Sequence, residues 1–148
     1  MRIPMKVDYG VRALIELAQN IESGKLVRTA EIAERQGIPE PYLDQVLTTL
    51  NKFGFIRSRR GPQGGHVLAR PSFEITLDEV VATLEGRTPP LECFDDSSCC
   101  AVSDDCAQRD IWRDVEEAIN AVLTTTSIGE LAFRQKKKVV QPLNFVNY

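Results

Sequence analysis

Four cysteines are the residues most able to do chemistry, and they lie close together in the chain. Cys93, Cys99, Cys100 and Cys106 are its only cysteines. The sequence opens without a hydrophobic signal region, so we expect this clustering to form a metal or redox site rather than a disulfide framework. The spacing lacks the C-x-x-C pairs of zinc sites and the cysteine run of ferredoxins. Widely spaced thiols in a polar loop can still hold an iron–sulfur cluster, because its irons prefer thiolate ligands.

Only one of the two adjacent thiols is expected to bind metal, because neighbouring side chains usually point apart. The ligand set would then be Cys93, either Cys99 or Cys100, and Cys106, with a fourth position open. Carboxylates crowd the same loop, which predicts raised thiol pKa values, poor order without metal and a preference for an oxidised cluster. A thiol–disulfide switch and inert cysteines are the alternative interpretations. The carboxylates are Glu92, Asp95, Asp96, Asp104 and Asp105.

Hydrophobic periodicity predicts three helices in the front part of the chain. The first spans about residues 6–20, the second is capped by Thr29 and ends at Gly37, and the third follows Pro39. Two helices joined by a short glycine turn are typical of a helix-turn-helix. Strand-like runs at residues 55–60 and 66–70 flank a Gly/Pro tip, which predicts a β-hairpin, or wing.

The back part of the chain is predicted to be helical on both sides of the cysteines. Thr76 and Glu79 form a capping box for a short helix over residues 77–85. An apolar stripe from Ile111 to Leu123 predicts a long helix, and Ser127 caps a short one ending near residue 135. The stripe is more apolar than a last helix needs. Since helix-turn-helix proteins usually bind palindromic sites as two-fold dimers, we expect a homodimer through this helix.

The net charge of −3 hides an uneven distribution. Residues 1–70 carry 11 Lys/Arg and 7 Asp/Glu, a net charge of +4. Residues 71–148 carry 7 Lys/Arg and 14 Asp/Glu, a net charge of −7. The basic half favours a nucleic-acid partner and the acidic half a different task. No apolar run approaches the roughly 18 residues of a membrane helix, so we expect a cytoplasmic protein with no membrane partner.

The third helix and the hairpin predict a surface for double-stranded DNA. Gln45 can pair with adenine, Asp44 can accept from cytosine N4, and Arg60 beside the glycine tip suits a narrow minor groove. His66, the only histidine, is interpreted as a wing residue. Each set could instead be a solvated face. The phosphate candidates, whose contacts would be salt-dependent, are Tyr42, Thr48, Thr49 and Lys52 on the helix and Arg57, Arg59 and Arg70 on the hairpin.

These patterns predict a mainly α fold with a small β-hairpin wing. A winged helix-turn-helix DNA-binding domain would occupy residues 1–86, and a cysteine-containing cluster-binding loop residues 87–107. A dimerisation helix and a short helix would occupy residues 108–135, and a flexible tail residues 136–148. An enzyme is not expected, because the sequence contains no evident nucleophile–base or carboxylate pair.

Several segments together resemble one family, the IscR/NsrR-type winged-helix transcription regulators of bacteria. The resemblance covers nearly all of residues 1–135. It implies a homodimer with crossing long helices and transcription control, often repression. It also implies that an iron–sulfur cluster, either 2Fe–2S or 4Fe–4S, tunes DNA binding. The matching segments are MKVDYGVRAL at 5–14, AEIAERQGI at 30–38, YLDQ at 42–45, RGPQGG at 60–65, the cysteine loop, IWRDV at 111–115 and IGEL at 128–131.

The resemblance also implies roles for individual residues. The recognition-helix readers would be Pro41, Asp44 and Gln45, with Arg60 in the minor groove, and Pro41 replaces a small hydroxyl residue of the family. By the family spacing, the metal ligands would be Cys93, Cys100 and Cys106. Arg109 stands where one branch has a histidine ligand. Asp8 matches an acidic ligand that another branch takes from the other subunit, and Cys99 is a further candidate.

The function hypothesis is a DNA-binding transcriptional repressor whose operator binding is tuned by an iron–sulfur cluster. Cluster binding would order residues 90–106 and change the spacing of the two recognition helices in the dimer. The alternative is a cofactor-free repressor that senses redox state through a thiol–disulfide pair. A third possibility is an adaptor for a protein partner, with a degenerate DNA face.

Overall fold

A computed structural model describes residues 2–140 of the chain. This part contains six α-helices, one antiparallel two-stranded sheet and several short 3-10 turns. The predicted winged helix-turn-helix order is confirmed, and a long helix follows the cysteine loop. The elements are α1 (Met5–Gln19), α2 (Thr29–Gln36), α3 (Glu40–Lys52), β1 (Ile56–Arg59), β2 (Gly65–Leu68), α4 (Leu77–Leu84), α5 (Ala107–Thr125) and α6 (Ile128–Val140).

Helix α1 lies at the centre of the fold because all but one of its buried residues are apolar. Ala13 and Leu14 are fully buried, and Leu17 is nearly so. Helices α2, α3, α4 and α6 and strand β2 all pack against α1. Burying one such leucine contributes about 1.5–3 kcal/mol. The largest fully buried side chains around this face are Ile32, Leu43, Leu47, Leu50, Ile56, Ile75, Val80 and Ile128.

A buried carboxylate fixes α2 on α1. Glu16 is only 5% exposed. Its two oxygens accept hydrogen bonds at 2.8 Å from Arg35 Nη1 and Gln36 Nε2, and Oε1 accepts one at 2.9 Å from Asn20 Nδ2. The hydrogen bond and the charge of Glu16 raise the pKa of Arg35. A buried charge is tolerated only when it is paired and hydrogen-bonded in this way, so the contact ties α2 to α1.

The predicted caps are confirmed at α4 but not at α2. Thr76 Oγ1 accepts from Glu79 N, and Glu79 Oε2 accepts from Thr76 N, as the capping box requires. The residue that caps α2 is Arg28, whose backbone N–H donates to Glu31 Oε2 at 2.9 Å. The prediction of a Thr29 cap is therefore wrong. The Thr29 hydroxyl instead contacts the wing.

Helix α6 returns to the core of the winged unit. Ile128 is fully buried, and its N–H donates to Ile75 O at 2.8 Å. Gly129 lies under the Phe73 ring, where an added Cβ would come within 2.7 Å of ring carbons. The helix continues to Val140, past the predicted end near residue 135. Lys137 and Lys138 lie in its last turn, where the negative end of the helix dipole favours positive charge. The rest of the predicted tail, residues 141–148, lies outside the described residues.

Helix α5 has the opposite character, because none of its residues is buried. Ile111 is 62% exposed, Val122 61% and Trp112 42%. The apolar stripe predicted from the sequence is therefore present and partly open to solvent, with Val115, Ile119 and Leu123 half-buried. Within residues 2–140, no helix combines the length and apolarity needed to cross a bilayer.

Candidate nucleic-acid interface and cysteine loop

The outer face of α3 presents the predicted base readers to solvent. Leu43, Leu47 and Leu50 are buried against the core and so fix the rotation of the helix. Pro41, Tyr42, Asp44 and Gln45 are consequently exposed, and Tyr42 is 62% exposed. An exposed helix face of this size fits the major groove of B-DNA.

The predicted phosphate contacts on α3 differ in availability. The hydroxyls of Thr48 and Thr49 donate to the carbonyls of Asp44 and Gln45, at 2.7 and 3.1 Å. A phosphate oxygen only accepts hydrogen bonds, so either threonine must first rotate away from its helix. Lys52 needs no such change: its Nζ is exposed, 5.7 Å from the centre of the Phe53 ring.

The wing carries three exposed arginines, two on β1 and one at the start of the tip. Strand β1 pairs with β2 so that Arg57 faces Val67 and Arg59 faces Gly65. Arg57, Arg59 and Arg60 form no ion pair with the described residues. Their charges are therefore free to attract phosphate, as the sequence predicts.

Arg70 does not join the other wing arginines, contrary to the sequence prediction. Its Nη2 lies 3.1 Å from Glu79 Oε1. Its guanidinium carbon lies 5.2 Å from the centre of the Phe55 ring. Arg70 thus joins the base of the wing to α4, and the ion pair neutralises its charge.

His66 anchors the wing to the start of α2. Its Nε2 lies 2.8 Å from Thr29 Oγ1, and its Nδ1 lies 2.8 Å from Ser58 Oγ. Its backbone pairs with Val27 through hydrogen bonds of 2.8 and 3.0 Å. Burial lowers the pKa of His66, an effect that the negative charge of Asp44 opposes. A neutral ring can donate from one nitrogen and accept at the other, so both contacts are satisfied without charge.

Arg28 forms a second anchor, which the sequence analysis did not identify. Its Nη2 donates to the carbonyl of Pro62 in the wing tip at 2.9 Å. The tip packs so closely that a Cβ on Gly64 would come within 2.1 Å of Arg59 O, and one on Gly65 within 2.7 Å of Val27 O. The glycines therefore allow close backbone packing. A groove of about 560 Å³ separates the anchored wing from α3.

The cysteine loop connects α4 to α5 through three 3-10 turns, Glu92–Phe94, Ser97–Cys99 and Ser103–Asp105. Cys93 and Cys106 are partly buried, Cys99 and Cys100 are exposed, and all four are free thiols. Desolvation, together with nearby Cys93, Asp96 and Glu92, raises the pKa of Cys99, in line with the expectation for this acidic loop.

The donor set of the loop fits an iron–sulfur cluster in chemistry, since it offers four thiols. Its geometry is not preassembled: within residues 2–140, no three Cys, His, Asp or Glu side chains gather as a metal site. Asp8 lies on α1 and is paired within its own subunit. Its two oxygens accept from Arg12 at 2.7 and 3.0 Å, and Arg12 also donates to Gln36 O. A ligand role for Asp8 therefore requires release from Arg12.

The neutral His66 ring predicts a pH dependence of stability. Burial lowers the pKa of His66 in the folded chain, so the unfolded chain, with a value of about 6.5, takes up the proton first. The stabilising contribution is present above about pH 6.5 and is lost as the pH falls through the folded-state pKa. In urea unfolding, the advantage of wild type over His66→Gln should shrink between about pH 7.5 and about pH 5.5. An advantage that stays constant over this range contradicts the assignment.

Comparisons with known proteins agree with this architecture. The family model Rrf2, described as an iron-dependent transcriptional regulator, matches residues 3–134. The HTH-type transcriptional regulator IscR of Cronobacter sakazakii is 35% identical over 136 residues, which cover 92% of this chain and 83% of the relative. The regulator of the same name from Klebsiella pneumoniae is also 35% identical, and the match covers 92% of this chain and 82% of that relative.

Solved structures show the same fold. CymR (YrzC), the global cysteine regulator of B. subtilis, superposes with a TM-score of 0.76 at 30% identity, covering 90% of this chain and 98% of its own. IscR of T. potens superposes with a TM-score of 0.75 at 28% identity, covering 100% of this chain and 97% of its own. The predicted resemblance and the winged-helix fold are thereby confirmed. The family consists of DNA-binding regulators and not of enzymes, and this chain belongs to it, as an IscR-like member of the Rrf2 family of transcription regulators.

Proposed function

We propose that the protein is a homodimeric repressor that binds a palindromic operator and is tuned by an iron–sulfur cluster on its cysteine loop. It acts in the cytoplasm, where its DNA lies. The observation that carries this proposal is the separation of two surfaces. An anchored wing with three arginines that form no ion pair with the described residues stands beside α3, and four free thiols occupy the loop that leads from α4 into α5.

The DNA-binding surface divides into base readers and phosphate contacts. Pro41, Asp44 and Gln45 read bases in the major groove, and Arg60 enters the minor groove. The exposure of all four side chains supports this assignment. The phosphate contacts are Tyr42, Thr48 and Lys52 on α3 and Arg57 and Arg59 on the wing.

Replacing Arg60 tests the wing. Arg60→Ala is expected to weaken operator binding about tenfold and to lower the slope of log affinity against log salt by about one. Arg134→Ala is the matched control, because it removes the same charge from α6, where Arg134 pairs with Glu130. Fluorescence anisotropy with a labelled operator at several salt concentrations measures both quantities. Equal binding by wild type and Arg60→Ala would show that the wing does not contact DNA.

The exposed stripe on α5 supports the homodimer. Ile111, Trp112 and Val122 stay exposed on their own chain, whereas Ile119 and Leu123 are half-buried beside α4. Removing the exposed apolar area from water drives association. A second copy presents the same stripe, so a two-fold contact can cover both. Pairing through α5 places one recognition helix at each end of the dimer, as a palindromic operator requires.

A charge placed in the stripe is expected to separate the subunits. Val122→Glu should shift the protein from dimer to monomer, because burying an unpaired carboxylate is costly. Thr124→Glu, a change to an exposed residue on the opposite face of α5, should leave the dimer intact. Light scattering coupled to size-exclusion chromatography distinguishes the two masses. A dimer that persists in Val122→Glu rejects α5 as the interface.

Cys93, Cys100 and Cys106 would hold the cluster, with Cys99 or Asp8 of the other subunit as the fourth ligand. When bound, the cluster supplies a redox-responsive centre of two or four irons. The chain's own part is mechanical: the loop joins α4 to α5, so a change in its shape alters how the two DNA-binding units are spaced. A few kcal/mol of difference between the two shapes suffices for a large change in operator affinity.

Anaerobic purification tests the cluster. The wild type is expected to contain iron and acid-labile sulfide and to absorb visible light, with Mössbauer spectra giving the number of irons. Replacing Cys93, Cys100 or Cys106 with alanine should abolish all three signals, because each removes a thiolate ligand. If Asp8 is the fourth ligand, Cys99→Ala is the matched control and keeps the cluster. If Cys99 is the fourth ligand, the same variant loses the cluster. Wild-type protein without iron and sulfide excludes cluster binding.

A cofactor-free redox-sensing repressor is the second candidate function. The exposure of Cys99 and Cys100 favours it, as does the similarity to CymR of Staphylococcus aureus, whose solved structures include an oxidised form. That structure superposes with a TM-score of 0.71 at 31% identity, covering 89% of this chain and 96% of its own. Two loop thiols would form one disulfide and pass two electrons and two protons to an oxidant such as hydrogen peroxide. Peptide mapping of peroxide-treated, metal-free protein identifies the pair.

A further inference from the structure

Arg109 enters the cysteine loop from the first turn of α5. Its Nη2 donates to the carbonyl of Cys93 at 2.9 Å, and its Nη1 donates to the carbonyl of Ser103 at 3.4 Å. These carbonyls lie near the beginning and the end of the loop. One planar guanidinium therefore joins both ends, which a lysine ammonium on its flexible stem cannot do with the same geometry.

The start of α5 holds a second cysteine beside this contact. Cys106 precedes the helix, and its carbonyl accepts from the N–H of Arg109 at 3.0 Å, a first-turn contact that any residue at this position makes. The Arg109 side chain therefore joins Cys93 to Ser103, three residues before Cys106.

The surroundings of Arg109 are buried and polar. Ser103 is only 3% exposed, and neither its hydroxyl nor Arg109 Nε has a hydrogen-bond partner among the described residues. Buried polar atoms usually have partners, so two unpartnered donors at one place are uncommon. They give the interior of the loop a polar lining that can donate to an acceptor brought there by the thiols.

We propose that Arg109 is a positioning residue of the cysteine site, whose side chain holds Cys93 close to the Ser103–Cys106 end of the loop before any metal binds. Arg109 stands where another branch of the family would supply a ligand, and here it organises the ligands instead of adding one. Its charge also offsets the carboxylates of the loop. The metal-free loop is then ordered, in contrast to the expectation from its composition. This inference deepens the proposed function by giving the metal-free protein a defined connection between α4 and α5.

Hydrogen–deuterium exchange of the reduced, metal-free, full-length protein tests the proposal. Amides of residues 91–106 are expected to exchange at least tenfold faster in Arg109→Ala and in Arg109→Lys, and at the wild-type rate in Gln108→Ala. Exchange in α1 and α3 should be unchanged in all three variants, which shows that the core remains folded. Wild-type exchange of the loop in Arg109→Ala overturns the proposal. Wild-type exchange in Arg109→Lys alone also overturns it, because charge and not the two-ended contact would then hold the loop.

The affinity for cobalt(II) alone, added without oxygen to the same metal-free proteins, is a second readout. It reports how well the thiols are placed for a metal, which the exchange rate of the loop does not report. Thiolate-to-cobalt absorbance is expected to give an affinity at least tenfold weaker in Arg109→Ala and Arg109→Lys, although all four thiols are present. Affinities equal to wild type overturn the positioning role. Neither measurement uses an iron–sulfur cluster or DNA. Failure to purify the cluster-loaded protein would therefore reject the proposed function, while these two results decide the role of Arg109 separately.

Discussion

The burial of α1 is the interaction on which the rest of the structure depends. Its apolar face contacts α2, α3, α4, α6 and β2, so both the reading helix and the wing take their positions from one helix. Close packing makes this arrangement stiff, because interiors have few voids into which a side chain can move. The buried Glu16 adds a polar link to this packing, since its two oxygens accept from Arg35 and Gln36 of α2.

Helix α5 has less support from its own chain, because none of its residues is buried. The cysteine loop leads into its start, its end leads into α6, and its side contacts α4. A chemical event at the loop would therefore act at the connection into this weakly held helix. The Arg109 contact with the Cys93 carbonyl would set the resting shape of that connection.

Local patterns predicted most of the fold and part of the site. Periodic apolar residues identified the helices, and the Thr76 capping box and the glycine tip were found where expected, because these signals act within a few residues of sequence. The errors at Thr29 and Arg70 share one cause. Each side chain found a partner in another element, His66 on the wing and Glu79 on α4, and a pattern within one element carries no information about such a partner.

The sequence by itself determined the chemical inventory: clustered thiols, a basic front half, an apolar stripe and the family to which they belong. Only the tertiary structure decided which side chains hold these parts in place. His66 became the anchor of the wing and Arg109 the residue that bridges the cysteine loop, because folding brought each against carbonyls or hydroxyls from other segments. The reason is physical: residue type determines which bonds a group can form, whereas packing determines which partner lies within 3 Å or so.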